Sequence, residues 1–189
     1  MKENFIQPEV IWMQRLQEGN ADALASLMRM YYDGLYSYAS RFTKDDALIK
    51  DCIQEVFISL WQRRNTTNNI LSCKYYFLRA IKNKILKALH KNSRTTSLAP
   101  DEYEFYYEFS IERLIVEKQI SDEKAGRLRN TLSLLSRRQK EIIYLKYYQY
   151  LDHGQIAELM NISRQSVYNL LHESINKLRE LWHAEFVTH

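Results

Sequence analysis

Apolar positions recur at helical spacing along most of this chain. The clearest case is around DCIQEVFISLW, residues 51–61. Ile49, Ile53, Val56, Phe57 and Leu60 follow the i, i+4, i+7, i+8 rhythm of one buried helix face. The same pattern extends back to Leu24, which predicts helix over 24–61. Residues 65–69, Asn-Thr-Thr-Asn-Asn, break it, because short polar side chains compete for backbone hydrogen bonds. A further helix is predicted over 72–91. At roughly 100° per residue, Leu78, Ile81, Ile85 and Leu89 share one of its faces, and Tyr76, Arg79, Asn83, Lys87 and Lys91 form a stripe on the other. Helical periodicity returns by 111–130 and continues to about Trp182. No run alternates as strands do, so the expected fold is all-α.

Composition agrees with this and adds a boundary. Only four Gly and two Pro punctuate 189 residues, so long helices go unbroken. That length suits two small domains with modest cores. Thr95-Thr-Ser-Leu-Ala-Pro-Asp-Glu reads as a linker. Between 101 and 112 the charges are Asp101, Glu102, Glu104, Glu108 and Glu112, with no Lys or Arg. The expected organisation is a domain at 1–94, an acidic Tyr-rich linker at 95–125, and a second domain at 126–189.

The segment QIAELMNISRQSVYNLL, residues 155–171, has the pattern of a helix-turn-helix. Ile156, Met160, Ile162, Val167 and Leu170 are its apolar set. Ala157 is small enough to let two helices cross closely. Asn161 falls at the corner, and Asn tolerates positive φ. Ser163 is placed to cap the second helix. Outside the apolar set lie Arg164, Gln165, Ser166, Tyr168, Asn169 and His172. Arg, Gln and Asn are suited to guanine and adenine edges in the major groove, and the first turns of a recognition helix carry that task. The plainer reading is a helical hairpin with a solvated polar face.

The net charge of +4 is mild, but its distribution is uneven. Residues 72–94 carry Lys74, Arg79, Lys82, Lys84, Lys87, Lys91 and Arg94 and no acid. Cations beside an aromatic ring serve a single nucleic-acid strand, one taking phosphates and the other offering a stacking surface. The alternative is an ordinary Lys-rich surface. Other classes fall away. No Gly-rich phosphate loop and no Cys–His or Ser–His–Asp arrangement is suggested, so no enzyme, no cofactor, no metal and no small-molecule substrate is expected. Cys52 and Cys73 lack zinc-like spacing and make no disulfide framework. The N-terminus does not read as a signal peptide, and no apolar run reaches about 18 residues. A cytoplasmic protein without membrane insertion is expected.

Together these segments resemble a bacterial RNA polymerase sigma factor of the extracytoplasmic-function (ECF) subgroup, over most of the chain. Residues 51–61 look like the family helix that grips the clamp coiled coil of core RNA polymerase. The resemblance makes Asp51, Gln54, Glu55, Phe57 and Trp61 the polymerase-contact candidates. Residues 75–91 are similar to the segment that engages the −10 element. On that basis Tyr76, Arg79, Lys82, Asn83, Lys87 and Lys91 are −10 contacts. The break at 65–73 corresponds to a loop that captures a flipped base, with Asn65, Asn68 and Asn69 as candidates. Residues 134–181 look like the −35-reading domain, and Arg164, Gln165, Ser166, Tyr168, Asn169 and His172 are its candidates. Many relatives carry several Arg on this helix; here Tyr168, Asn169, His172 and Glu173 stand instead, a variant closer to Bacteroidetes sigma factors. The resemblance implies promoter-specific initiation with help in −10 melting, and core polymerase, promoter DNA and an anti-sigma protein as partners. A stand-alone helix-turn-helix regulator and an all-helical protein adaptor are the rival classes. The first should bind duplex as a dimer without polymerase; the second leaves the acid-free helix unexplained.

Overall fold

The computed structural model describes residues 8–66, 70, 72–92 and 122–184. The described residues are helical, with no strand among them, as the periodicity predicts. The chain divides into two compact units, Met1–Tyr103 and Glu104–His189. Most of the acidic linker expected at 95–125, with Asp101, Glu102, Glu104, Glu108 and Glu112, lies outside the described residues.

The first unit contains α1 (Pro8–Gln17), α2 (Ala21–Ala39), α3 (Asp46–Gln62), a 3-10 turn (Arg64–Thr66) and α4 (Cys73–Asn92). Pro8 suits the first turn of α1, where a missing N–H costs nothing. Gly19 turns the chain with φ +85, and Asn20 caps α2 by accepting from the Ala23 N–H at 3.1 Å. The helix expected over 24–61 is two helices. Thr43 accepts a hydrogen bond from the Asp45 N–H at 3.2 Å, and Asp45 in turn accepts from the Leu48 N–H at 3.0 Å. These short-range side-chain bonds favour a stop and a fresh start over helix continuation.

Ile49, Ile53, Val56, Phe57 and Leu60 are all buried, as their spacing requires. On α4, Leu78, Ile81 and Ile85 are buried, whereas Leu89 is only half-buried. Phe77, absent from the expected face, is fully buried and central. Its ring lies 4.7 Å from Tyr31, 5.2 Å from Phe57 and 5.5 Å from Tyr76, centroid to centroid. Burying such a ring contributes roughly 1.5–3 kcal/mol. Cys52 and Cys73 are both buried free thiols. Burial raises the pKa of each, that of Cys73 to about 11.

The second unit contains α5 (Asp122–Ser133), α6 (Arg137–Ile143), a π-helical turn (Tyr144–Tyr148), α7 (His153–Met160) and α8 (Arg164–Ala184). Two capping boxes start α6 and α7. In the first, Ser136 accepts from the Gln139 N–H and Gln139 accepts from the Ser136 N–H, at 3.4 and 3.0 Å. In the second, Asp152 and Gln155 do the same at 2.9 and 3.1 Å. The long α8 packs against α5, α6 and α7. Its buried positions near the corner are Val167 and Leu171, one turn apart. Leu170, assigned to the apolar set from sequence, is half-buried, because four residues rather than three bring the helix back to the face that Val167 occupies.

Candidate functional site

The corner between α7 and α8 is built by local chemistry. Asn161 ends α7 in the left-handed region, at φ 52 and ψ 50. The Ile162 N–H then reaches back to the Ala157 carbonyl at 3.0 Å, the closing bond of a Schellman-type cap. Ser163 accepts from the Ser166 N–H at 3.0 Å and starts α8. Ala157 is buried beneath the corner. Arg164, Gln165, Ser166, Tyr168, Asn169 and His172 are all exposed on the first turns of α8. They are not independent of one another or of α7. The Gln165 amide donates to Asn169 Oδ1 at 3.0 Å. Tyr168 is 54% exposed, yet its ring lies 4.2 Å from that of His153 on α7. His172 Nδ1 lies 3.3 Å from the Asn176 amide nitrogen.

The basic helix α4 offers a second polar face. Arg79, Asn83, Lys87 and Lys91 are exposed along it. Tyr76 is half-buried with its ring edge on Phe77, and burial raises its phenol pKa. Lys82 is also half-buried and extends over the Phe42 ring at 5.8 Å. Lys84 pairs with Glu55 of α3 at 2.7 Å. The two packed lysines thus partly serve the fold, and the exposed stripe is narrower than the charge count suggests. Asn65 is exposed on the 3-10 turn; Asn68 and Asn69 lie outside the described residues.

Between α2 and α3 runs an apolar groove of about 260 Å³, lined by Leu24, Met28, Gln54, Phe57, Ile58, Trp61 and Gln62. Gln54, Phe57 and Trp61 were among the five residues drawn from sequence for the polymerase contact. Phe57 is a core side chain that shows the groove little of its surface. Trp61 is held by Arg64, whose guanidinium sits 4.5 Å from the ring centroid and donates to the Trp61 carbonyl at 3.0 Å. Asp51 and Glu55 are exposed but do not line the groove. Glu55 pairs with α4, and the Lys84 hydrogen bond lowers its carboxyl pKa. Sequence reasoning missed Met28 and Ile58, which are 37% and 46% exposed. The available signal was an apolar residue standing out of phase with the buried face, as Ile58 does beside Phe57.

Two helical units, one basic along a helix face and one carrying a helix-turn-helix, define a DNA-binding transcription protein. Residues 27–95 match the family model described as Sigma-70 region 2, and residues 125–178 match that described as Sigma-70, region 4. Together they span well over half of the chain. Over 156 residues the chain is 19% identical to the ECF RNA polymerase sigma factor SigM of Bacillus subtilis (strain 168), covering 82% of this chain and 93% of that protein. The fold is shared with CnrH, solved in complex with the cytosolic domain of CnrY, at TM-score 0.59 and 17% identity over 94% of this chain and 99% of the other. It is also shared with the sigma factor RpoE of Bartonella quintana, solved with the anti-sigma factor NepR, at TM-score 0.55 and 14% identity over 82% and 92% of the two chains. The chain belongs to the sigma-70 family and is a sigma factor of the ECF kind. It directs core RNA polymerase to specific promoters, and its family is not an enzyme class. Among the described residues, no helix is long and apolar enough to cross a membrane.

Proposed function

We propose a division of labour among the three surfaces. The head of α8 reads the −35 duplex through Arg164, Gln165, Ser166, Tyr168, Asn169 and His172. The exposed α4 stripe of Arg79, Asn83, Lys87 and Lys91 holds the opened −10 strand, with Tyr76 and Lys82 at its edge and Asn65, Asn68 and Asn69 taking an unstacked base. Capturing bases in this way offsets an unstacking cost of a few kcal/mol. The α2–α3 groove, with Gln54, Trp61 and the edge of Phe57, takes the polymerase clamp; Asp51 and Glu55 flank it. The functional domains are 1–94 and 126–189, joined by the acidic linker at 95–125. The observation that carries this reading is the exposed polar head of α8, projected by a left-handed Asn corner.

Finer features of the reading are also proposals. The sparse positive charge at the head of α8 supports a Bacteroidetes-like subgroup. CnrH was solved with the cytosolic domain of CnrY and RpoE with the anti-sigma factor NepR, and an anti-sigma protein would hold this chain inactive. The protein acts in the cytoplasm. Run-off transcription tests the central reading. Core polymerase from the source bacterium is incubated with and without the protein, on DNA from upstream of its own gene. A protein-dependent transcript is the expected result. Absence of both transcript and core binding would return the protein to the class of stand-alone regulators.

A further inference from the structure

The first turn of α7 touches the head of α8 at a place that neither helix explains alone. Gly154 is the second residue of α7. A glycine there weakens a short helix, since Ala is the better helix former. Its backbone is not in the left-handed region, so freedom of φ is not the reason for it. The space beside it is. A Cβ placed on Gly154 would lie 3.0 Å from Arg164 Nη2 and 3.3 Å from Arg164 Nε, with Asp152 Oδ1 at 3.1 Å. Ordinary contact between heavy atoms begins about 3.5 Å apart. The guanidinium therefore borders the space that a side chain at 154 would need. Asp152 borders the same space, its carboxylate fixed by the cap bond from the Gln155 N–H at 2.9 Å. One residue earlier, the His153 ring meets that of Tyr168 at a tilt of 55°, centroids 4.2 Å apart. Arg164 and Tyr168 stand four apart, on one face of α8. The seat opens on a groove of about 460 Å³ that follows the corner from Gly154 to Arg164.

We propose that Gly154 is a positioning residue for Arg164: its missing side chain is the seat that sets the direction of the guanidinium, and hence which −35 base pairs the protein prefers. The proposal rests on the −35 reading of α8. Arginine recognises a base edge through two parallel hydrogen bonds, which demand a fixed plane and direction. A methyl group at 154 fills the seat, and the flexible guanidinium, rather than the cap carboxylate of Asp152, gives way by at least a few tenths of an ångström.

The test uses the full chain with core polymerase and a duplex library randomised across the −35 region. Wild type, Gly154→Ala, Arg164→Ala, Asn169→Ala and the 154/164 double variant are compared by sequence enrichment, and by thermal melting of the free protein. Gly154→Ala is expected to melt no lower than wild type. It should lose about tenfold in preference at the same base pairs that Arg164→Ala affects, and the double variant should lose no more. If Arg164→Ala alters preference and Gly154→Ala does not, the seat is overturned and the −35 reading stands. A uniform loss on every sequence with a lowered melting temperature would make Gly154 merely structural, which also overturns the proposal. If neither Arg164→Ala nor Asn169→Ala changes enrichment, the −35 reading itself fails, and the seat with it.

Discussion

Helices α4 and α8 both present a polar face, yet the two faces differ in kind. The α4 face is made of long flexible cations with no acid on the helix. The head of α8 has one cation, Arg164, among neutral amides, a hydroxyl and rings, with Glu173 close behind. Long cations suit phosphates, whose charge can be met from many directions and whose binding falls steeply with salt. Amides and a fixed guanidinium suit base edges, where direction decides. The side chains behave accordingly. Gln165 and Asn169 hold each other, and Tyr168 leans on His153, while Lys87 and Lys91 stand out from their helix. On the division of labour proposed above, affinity and selectivity would be drawn from separate helices, in separate units.

The strongest way to break this contrast is to remove the support of one face. Phe57→Ala takes away a ring packed on Phe77 of α4 and should lower unfolding stability by about 3–5 kcal/mol, read by chemical denaturation. A much smaller loss would show Phe57 to be a surface contact rather than core. Next, Asn169→Ala should cost on the order of 1–3 kcal/mol at one −35 base pair and relax preference there, measured by binding to a panel of single-pair variants. Because Gln165 donates to Asn169, the loss from Gln165→Ala should overlap it rather than add to it. Lys87→Ala should behave in the opposite manner. Binding weakens similarly on all promoters, and the slope of log affinity against log salt falls by about one. An unchanged slope would remove Lys87 from the phosphate grip.

The smallest effect concerns Glu55. Its carboxyl pKa is lowered by Lys84, so the pair stabilises the fold above the pH where an unfolded Glu titrates, about 4.3. That contribution disappears as pH falls through the lower folded value. Both side chains are partly exposed, which limits Glu55→Gln to a few tenths of a kcal/mol near neutral pH. The difference between the two proteins should vanish in acid; a difference that persists there would point to packing instead.

Local signals were legible in the sequence. The buried face of α3, the Asn161 corner and the Ser163 cap depend on spacing and on residues two or three apart. The split between α2 and α3 was harder to see, because the apolar period runs through it and the tight turn at Ser40–Phe42 and the Asp45 cap leave little trace in that period. Contacts between helices were not legible. Phe77 stands four residues before Ile81, so spacing places it inward; what spacing does not show is that its ring meets Tyr31 and Phe57. The groove needed α2 and α3 side by side before Met28 and Ile58 became neighbours. The meeting of Gly154 with Arg164 spans a corner whose angle no single helix determines.

The two buried thiols have a practical consequence. Both cysteines of the chain lie in the first unit, on α3 and α4. Thiolate is the reactive form, and it is scarce at neutral pH when burial raises the pKa. Alkylation of Cys52 and Cys73 should therefore wait for α3 and α4 to part, which makes its rate a clock for opening of that unit alone. A cysteine introduced on the exposed face of α8 would react rapidly over that slow background. Cleavage reagents and photo-crosslinkers can then be attached to the recognition helix and mapped onto promoter DNA with the native thiols left in place.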